Sequence, residues 1–252
     1  MKRLFVFGQL ALLAALPVWG QEEPLTRASQ IRNLTAAEAA KGLPVKLHVT
    51  LTYYNPDWNA LFVQDETGAA FVSASAVGGG GVHFEAGQIL ELTGKTEAGP
   101  VHCDIVATGL QVVGTGPLPA ALDLSATNLL TVANERMRVK ATGQIFSIGN
   151  FGGRPGLQVL TPSGAVLAVS LPNGSSAAAE NLSGASIEFE GVLALSLGTD
   201  RRPNGFNVFV TGMDAIQKTT SIPIVPIAGL VANGQPARIR ASVVAPRPGS
   251  LR

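Results

Sequence analysis

Apolar and polar residues alternate along two stretches of the chain, residues 44–51 (Pro-Val-Lys-Leu-His-Val-Thr-Leu) and residues 137–145. Successive side chains of a β-strand point to opposite faces, so this period of two predicts a strand with one buried face. Each stretch is the first strand of a pattern that recurs later in the chain.

A hairpin pattern follows each of these strands, with two short apolar runs on either side of a turn. The runs and turns are residues 61–64, 65–68 and 69–72 in the first copy and residues 157–160, 161–164 and 165–169 in the second. Gly68 and Gly164 end the turns, and we expect both to adopt a positive φ.

Two further segments complete each copy. Gly87 and Gly94 enclose a six-residue strand-like segment, and Gly184 and Gly191 enclose another, 97 positions later. Residues 105–110 and 208–213 form the second matching pair, 103 positions apart, so the second copy carries six extra residues. Turn-forming residues between 198 and 205 account for that insertion.

Each copy therefore has five predicted strands, with a variable connector between the third and the fourth. This pattern indicates an all-β chain of tandem small five-stranded OB-like barrels. A pair of immunoglobulin-like sandwiches is the alternative, but such units usually have about seven strands. The pattern divides the chain into a first module at 21–117, a second at 118–217, and the start of a truncated third module or tail at 218–252.

Residues 236–244 indicate that third module, because they resemble the first strand of the first copy at an offset of 192 positions. One first strand cannot close a barrel. We therefore expect the chain to be the front piece of a longer protein, the alternative being a tail packed on the second module.

A short helix is expected ahead of the first module. Thr35 and Glu38 have the spacing of a capping box, and Gly42 is suited to end the helix. We predict a helix over residues 36–41 that closes one end of the first barrel.

The first twenty residues have the order of a signal peptide: a basic start, an apolar run from Leu4 to Leu16, and small residues before the polar stretch that begins at Gln21. Cleavage is predicted after Gly20. A membrane anchor is the alternative, but the apolar run is shorter than the roughly 20 residues that span a bilayer. The predicted location is therefore periplasmic or secreted.

The charge and the residue types narrow the possible functions. With 18 basic and 17 acidic residues, the chain has a net charge of +1, which does not favour nucleic acid as a partner. The single cysteine, Cys103, is adjacent to His102 in a predicted strand, so the two side chains cannot form a nucleophilic pair. No zinc spacing, P-loop or nucleophile elbow is present. We expect no catalytic residues, no metal site and no cofactor.

The candidate ligand-binding residues are four aromatic side chains where the first strand meets the first hairpin, and one arginine in the second copy. They are Tyr53, Tyr54, Trp58, Phe62 and Arg154. OB folds bind extended ligands near this position, and aromatic rings there stack on bases or sugar rings. The alternative is that these rings pack against the barrel mouth or against the neighbouring module.

Residues 25–35, 39–45, 53–58 and 61–68 resemble the exported N-terminal region of a group of bacterial sensor histidine kinases. The resemblance covers the first copy well and the second loosely. It implies OB-like modules between a signal peptide and a membrane segment that leads to a cytoplasmic kinase. The chain departs from the group because it contains neither that membrane segment nor the phosphoacceptor and ATP-binding motifs.

The resemblance implies a non-catalytic, extracytoplasmic sensory region that binds an unidentified small molecule, glycan or protein. Contact with a membrane would come only through a segment downstream of this chain. Two alternatives remain: a secreted OB-fold protein that binds oligosaccharide or single-stranded nucleic acid, and a structural spacer.

Overall fold

The computed structural model describes residues 23–75, 77, 83–124, 131–151, 153–198 and 202–220. The predicted signal peptide and the third-module strand at 236–244 lie outside these residues. Within them the chain is mostly β, as predicted, and forms two barrels. None of the described helices is long and apolar enough to cross a membrane.

The elements follow one another in the order of the two predicted copies. In chain order they are α1 (Ala28–Arg32), α2 (Ala36–Ala39), β1 (Pro44–Asn55), β2 (Ala60–Asp65), β3 (Gly68–Ser73), β4 (Gln88–Ala98), β5 (Cys103–Thr115), β6 (Leu122–Asp123), β7 (Arg138–Phe151), β8 (Arg154–Leu160), β9 (Val166–Ser170), α3 (Ser176–Glu180), β10 (Ser186–Leu197), β11 (Pro203–Phe209) and β12 (Ile216–Thr220). Short 3₁₀ turns at Val132–Asn134 and Met213–Ala215 precede β7 and β12.

The first barrel is closed, with the strand order β1-β2-β3-β5-β4. Its first strand is long enough to pair with two neighbours: residues from Pro44 to Thr50 pair with β4, and residues from Thr50 to Asn55 pair with β2. A bulge at Thr52 separates Leu51 from Tyr53 in the pairing with β2. Bulges bend a strand and increase its twist, which is what a strand shared by both sides of a small barrel requires.

The second barrel repeats this arrangement with β7, β8, β9, β11 and β10, and the pairing of β7 with β10 closes it. A bulge at Phe146 corresponds to the bulge at Thr52. Two additional strands extend the sheet, β6 beside β7 and β12 beside β10. The pattern at residues 44–51 and 137–145 did not indicate these two strands, the second of which ends at Thr220.

The inward side chains of each barrel form a separate apolar core. Leu47, Leu51 and Leu92 are among the fully buried residues of the first core, and Ile145 and Phe189 are among those of the second. The strand order, the closure and the parallel pairings β3–β5 and β9–β11 define both units as OB-like barrels.

The predicted N-terminal helix is present and is preceded by a second one. Thr35 caps α2 by accepting a hydrogen bond from Glu38 N at 3.2 Å, and Glu38 Oε2 accepts from Thr35 N at 2.8 Å, which completes the predicted capping box. The helix ends at Ala39, earlier than predicted. Ala39 belongs to the first core, and its carbonyl accepts a hydrogen bond from Thr96 Oγ1 at 2.8 Å.

The two hairpin turns differ, and the prediction for Gly68 is wrong. Gly164 has a φ of +86°, as expected, whereas Gly68 is not among the glycines with a positive φ. In the first turn, Asp65 Oδ1 accepts hydrogen bonds from Thr67 N at 2.7 Å and Gly68 N at 2.9 Å. The carboxylate thus directs the turn, and no left-handed residue is needed at its end.

One glycine of β4, Gly94, lies where β5 approaches closely, and a substitution there tests this packing. A Cβ on Gly94 would lie 2.6 Å from Val106 O and 3.0 Å from Ile105 Cγ2. We therefore expect Gly94→Ala to lower the free energy of unfolding by about 1–3 kcal/mol, measured by urea denaturation. Gly191 has the equivalent position in β10, where a Cβ would meet Phe209 O.

Gly114→Ala is the matched control, because a Cβ there would meet only Ile89 Cδ1, at 4.0 Å. Its effect should stay within about 0.5 kcal/mol. Equal effects of the two substitutions would contradict the close approach of β4 to β5.

Candidate functional site

Outward aromatic side chains join the two barrels. Phe209, at the end of β11, stacks on Tyr53 with ring centroids 5.2 Å apart, and it lies 5.9 Å from the ring of Phe62. Val192 and Ala194 of β10 are buried in the same cluster. The outer face of β1 and β2 is therefore covered by the closing strands of the second barrel.

Strand alternation explains why these rings face outward. Val208 and Val210 belong to the second core, so Phe209 between them points to the opposite face. On the first barrel, Tyr53 pairs with Phe62 across β1 and β2, and Phe62 pairs with Phe71 across β2 and β3. The three rings form one row, and Phe209 packs on that row.

A loop of the first barrel is held against the second barrel by an arginine. Arg154, at the start of β8, is buried and donates to Asn55 Oδ1 at 2.8 Å and to Asp57 Oδ2. Its guanidinium lies over the ring of Trp58, 4.6 Å from the centroid. Trp58 also meets the ring of Phe209 nearly edge-on. These contacts orient the indole, and 52% of the residue stays exposed.

A second arginine crosses the interface on another side. Arg136, in the segment before β7, donates to Cys103 O at 2.7 Å and to Asp104 Oδ1 at 2.6 Å, and its Nε lies 2.8 Å from Glu135 Oε2. Its backbone has a φ of +74°, in the left-handed region that non-glycine residues seldom adopt. The backbone N of Arg136 donates to Leu193 O at 2.6 Å, which ties this conformation to β10.

The segment between the barrels is also bound by α1. Arg32 donates to Val132 O at 2.8 Å, Ala133 O at 2.6 Å and Glu135 O at 2.9 Å. His102 Nε2 lies 3.2 Å from Arg32 Nη2 and 3.1 Å from Val132 O. The N-terminal helix, the loop before β5 and the connecting segment therefore form one polar network.

A cleft of about 560 Å³ lies beside the aromatic cluster, between the two barrels. Trp58, Phe62 and Phe71 line it from the first barrel, and Phe209, Asn207 and Ser170 line it from the second. Asn207 Nδ2 donates to Ser170 Oγ at 2.8 Å, which fixes both polar groups. The volume is within the range of small-molecule sites, which is about 300–1,000 Å³.

Among the residues that the structure describes, two acidic and two basic side chains line this cleft. They are Asp104, Glu135, Arg136 and Arg154. Burial raises the pKa of Asp104 and of Glu135, and the nearby Arg136 opposes that rise in both cases. The cleft thus joins aromatic surface, neutral hydrogen-bonding groups and paired charges.

The structure brings four of the five predicted site residues to this interface. Tyr53 and Phe62 pack between the barrels, Trp58 stands at the edge of the cleft, and Arg154 lies beneath Trp58. Tyr54 is not brought there, because it packs against the first core and meets the ring of Phe84 edge-on.

Phe209, Phe71 and Arg136 also line the cleft, and the residue pattern did not predict them there. Phe71 and Phe209 lie in segments that are predicted strands. Strand alternation predicts which face a side chain points to, but it does not predict which surface an outward ring contacts. In the described part of the chain, no group of three His, Cys, Asp or Glu residues is placed to hold a metal ion.

The strand topology defines a tandem OB-like barrel protein with a cleft between its barrels. No protein-family model matches the chain. No curated protein matches it either. Solved structures resemble it at low identity, with TM-scores below 0.5, so the fold assignment rests on the strand order of the barrels themselves.

Three of these solved structures illustrate how similar the matches are in identity, coverage and TM-score. A murine DNA-binding protein, solved with double-stranded DNA, is 12% identical over 65% of this chain and 92% of that chain, with a TM-score of 0.34. The single-stranded DNA-binding protein of Thermus aquaticus is 18% identical over 73% and 97%, with a TM-score of 0.25. The asparaginyl-tRNA synthetase of Pyrococcus horikoshii is 16% identical over 43% of this chain, which spans 24% of the synthetase, with a TM-score of 0.31.

The packing of Phe209 between the barrels predicts that its removal lowers the stability of the protein. Phe209→Ala removes the ring that contacts Tyr53, Trp58 and Phe62. We expect it to lower the free energy of unfolding by about 3 kcal/mol, near the lower end of buried Phe→Ala substitutions. Urea denaturation followed by circular dichroism measures this, and the weakened contact should separate the unfolding of the two barrels.

Phe146→Ala is the control, because Phe146 is 56% exposed on the second barrel. Its cost should stay within about 0.5 kcal/mol. The interface would be contradicted if Phe209→Ala were as mild as this control.

The lowered pKa of His102 predicts that the stability of the fold depends on pH. Burial lowers the pKa of His102, Arg32 and Arg136 lower it further, and a hydrogen bond to Val132 opposes this. The unfolded chain, with an ordinary histidine pKa of about 6.5, therefore takes up a proton at a higher pH than the folded chain. The contribution of His102 therefore lowers the free energy of unfolding as the pH falls from about 6.5 to the lowered pKa of His102.

His102→Gln removes that contribution, so the wild type should lose more stability than the variant between about pH 7.5 and about pH 5.5 in urea titrations. The raised pKa values of Asp104 and Glu135 act in the opposite direction, but both proteins carry those carboxyls. Parallel pH profiles would refute the assignment to His102.

Proposed function

We propose that the two barrels form a non-catalytic ligand-binding unit and that the cleft between them is its binding site. The observation that carries this proposal is the indole of Trp58. It stands half-exposed at the edge of a cleft of about 560 Å³ and is oriented by Arg154 and Phe209. A ring held in this way offers a stacking surface without the entropic cost of ordering it on binding.

The walls of the cleft support the same proposal. Phe62 and Phe209 are packed in the interface, so the apolar wall exists before any ligand arrives. The guanidinium of Arg136 is also fixed before any ligand arrives, because it donates hydrogen bonds to Cys103 O and Asp104. Preformed pockets with an apolar lining and a few oriented polar groups are typical of small-ligand sites.

We propose a periplasmic sensory setting for this unit, which the resemblance of the first module to the exported regions of sensor histidine kinases supports. In that setting the unit is periplasmic, and the occupied cleft is the sensory input. A secreted protein of the same fold would use the same cleft without an attached kinase. The coding sequence downstream of residue 252 distinguishes the two, because a membrane helix followed by a kinase supports the sensory role.

Ligand-dependent stability tests the proposal. A ligand at about 100 times its Kd stabilises the folded state by about 2.7 kcal/mol, which raises the Tm of a chain of this size by several degrees. Screening sugars, nucleotides and metabolites by thermal denaturation should find at least one such compound. Trp58→Ala should abolish the shift, because the stacking surface is lost.

Phe146→Ala is again the matched control, since it removes an aromatic side chain of similar exposure outside the cleft. It should leave the ligand shift unchanged. A shift that persists in Trp58→Ala, or the absence of any shift across the screen, would contradict the cleft as a binding site and favour a spacer role.

A further inference from the structure

The charges around the cleft restrict the class of ligand that it accepts, if the cleft is the binding site proposed above. Arg136 is paired with Asp104 and Glu135, and Arg154 is paired with Asp57. Neither arginine is left with an uncompensated positive charge. A phosphodiester chain gains its affinity mainly from unpaired Lys and Arg and from the counterions they release, so this cleft offers it little.

A cationic ligand is disfavoured for a related reason. The carboxylates of Asp104 and Glu135 both lie against Arg136, and a second cation beside them would have to compete with that guanidinium. Breaking a buried ion pair is costly because it leaves a desolvated charge. The charge pattern therefore favours an uncharged ligand.

The second barrel contributes four uncharged polar side chains to the lining of the cleft. Ser170 and Asn207 bond to each other there, and Ser196 and Asn204 also line the cleft. A hydroxyl both donates and accepts, and an amide presents an oxygen acceptor beside two N–H donors. Groups of this kind match a ligand whose own polar groups are hydroxyls.

Trp58 contributes a planar, half-exposed apolar surface to the cleft. Arg154 covers one face of Trp58 and Phe209 meets it nearly edge-on, so the exposed part of the indole is available for a ring. We infer that the ligand of the cleft is an uncharged saccharide, with one sugar ring stacked on Trp58 and its hydroxyls bonded to Asn207 and Ser170. Arg154 is then a positioning residue for Trp58 rather than a ligand contact.

Tryptophan fluorescence tests this class directly, because Trp58 and Trp19 are the two tryptophans of the chain. Trp19 lies in the predicted signal peptide, so the emission reports on the cleft alone in a chain that begins at Gln21 or in a Trp19→Phe variant of the full chain. The probes are neutral cello- and malto-oligosaccharides, oligogalacturonate as a charged saccharide, and oligothymidylate as a single-stranded nucleic acid. A neutral oligosaccharide should change the emission saturably, with a Kd that varies less than about twofold between low and high salt, since no counterions are released.

Asn207→Ala should weaken that binding at least about tenfold, as expected for the loss of a specific hydrogen-bonding group, which is worth about 1.4 kcal/mol or more. Asn181→Ala, an exposed asparagine outside the cleft, should leave the Kd unchanged. Equal Kd values for these two variants would overturn the assigned hydrogen bonds.

The remaining outcomes separate the ligand class from the site. Binding of oligogalacturonate or oligothymidylate alone, with steep salt dependence, would overturn the saccharide assignment and leave the cleft as the binding site. No change in Trp58 emission with any probe at millimolar concentration would overturn both.

Discussion

The outward ring of Phe209 determines how the two barrels sit together. The inward side chains of a five-stranded barrel fill its interior, so an outward aromatic residue must face water or meet another surface. Phe209 meets Tyr53 and Phe62, which are outward residues of the first barrel. This contact decides which faces join. It also brings the Trp58 loop of the first barrel over the second barrel and so creates the cleft.

The buried arginines at the edges of this contact act on geometry more than on stability. Arg136 and Arg154 are both nearly inaccessible to water, and the desolvation of such charges offsets much of the attraction in their ion pairs. Each guanidinium has several donors in a fixed plane, so its bonds are satisfied in one relative orientation of the barrels. Apolar packing holds the barrels together, and the arginines select the orientation that leaves the cleft open.

The barrels were predictable from sequence because strands and turns are local features. Alternation at residues 44–51 and the repeat of Gly87 and Gly94 at Gly184 and Gly191 located strands of both copies. The additional strand β12 lacks a counterpart in the first copy, and Gly68 was mispredicted because Asp65 directs its turn. The cleft was less predictable, because Trp58 and Arg154 are 96 positions apart and their contact depends on the orientation of whole barrels.

The same orientation explains why the candidate residues of the two copies do not match. The row of Tyr53, Phe62 and Phe71 corresponds in strand pairing to Ser147, Gln158 and Ala168 of the second barrel. In a head-to-tail pair, one copy contributes the outer face of its first three strands and the other contributes its closing strands. Aromatic residues are therefore required on that outer face of the first copy alone. The different residues of the two copies at these positions follow from their different places in one composite interface.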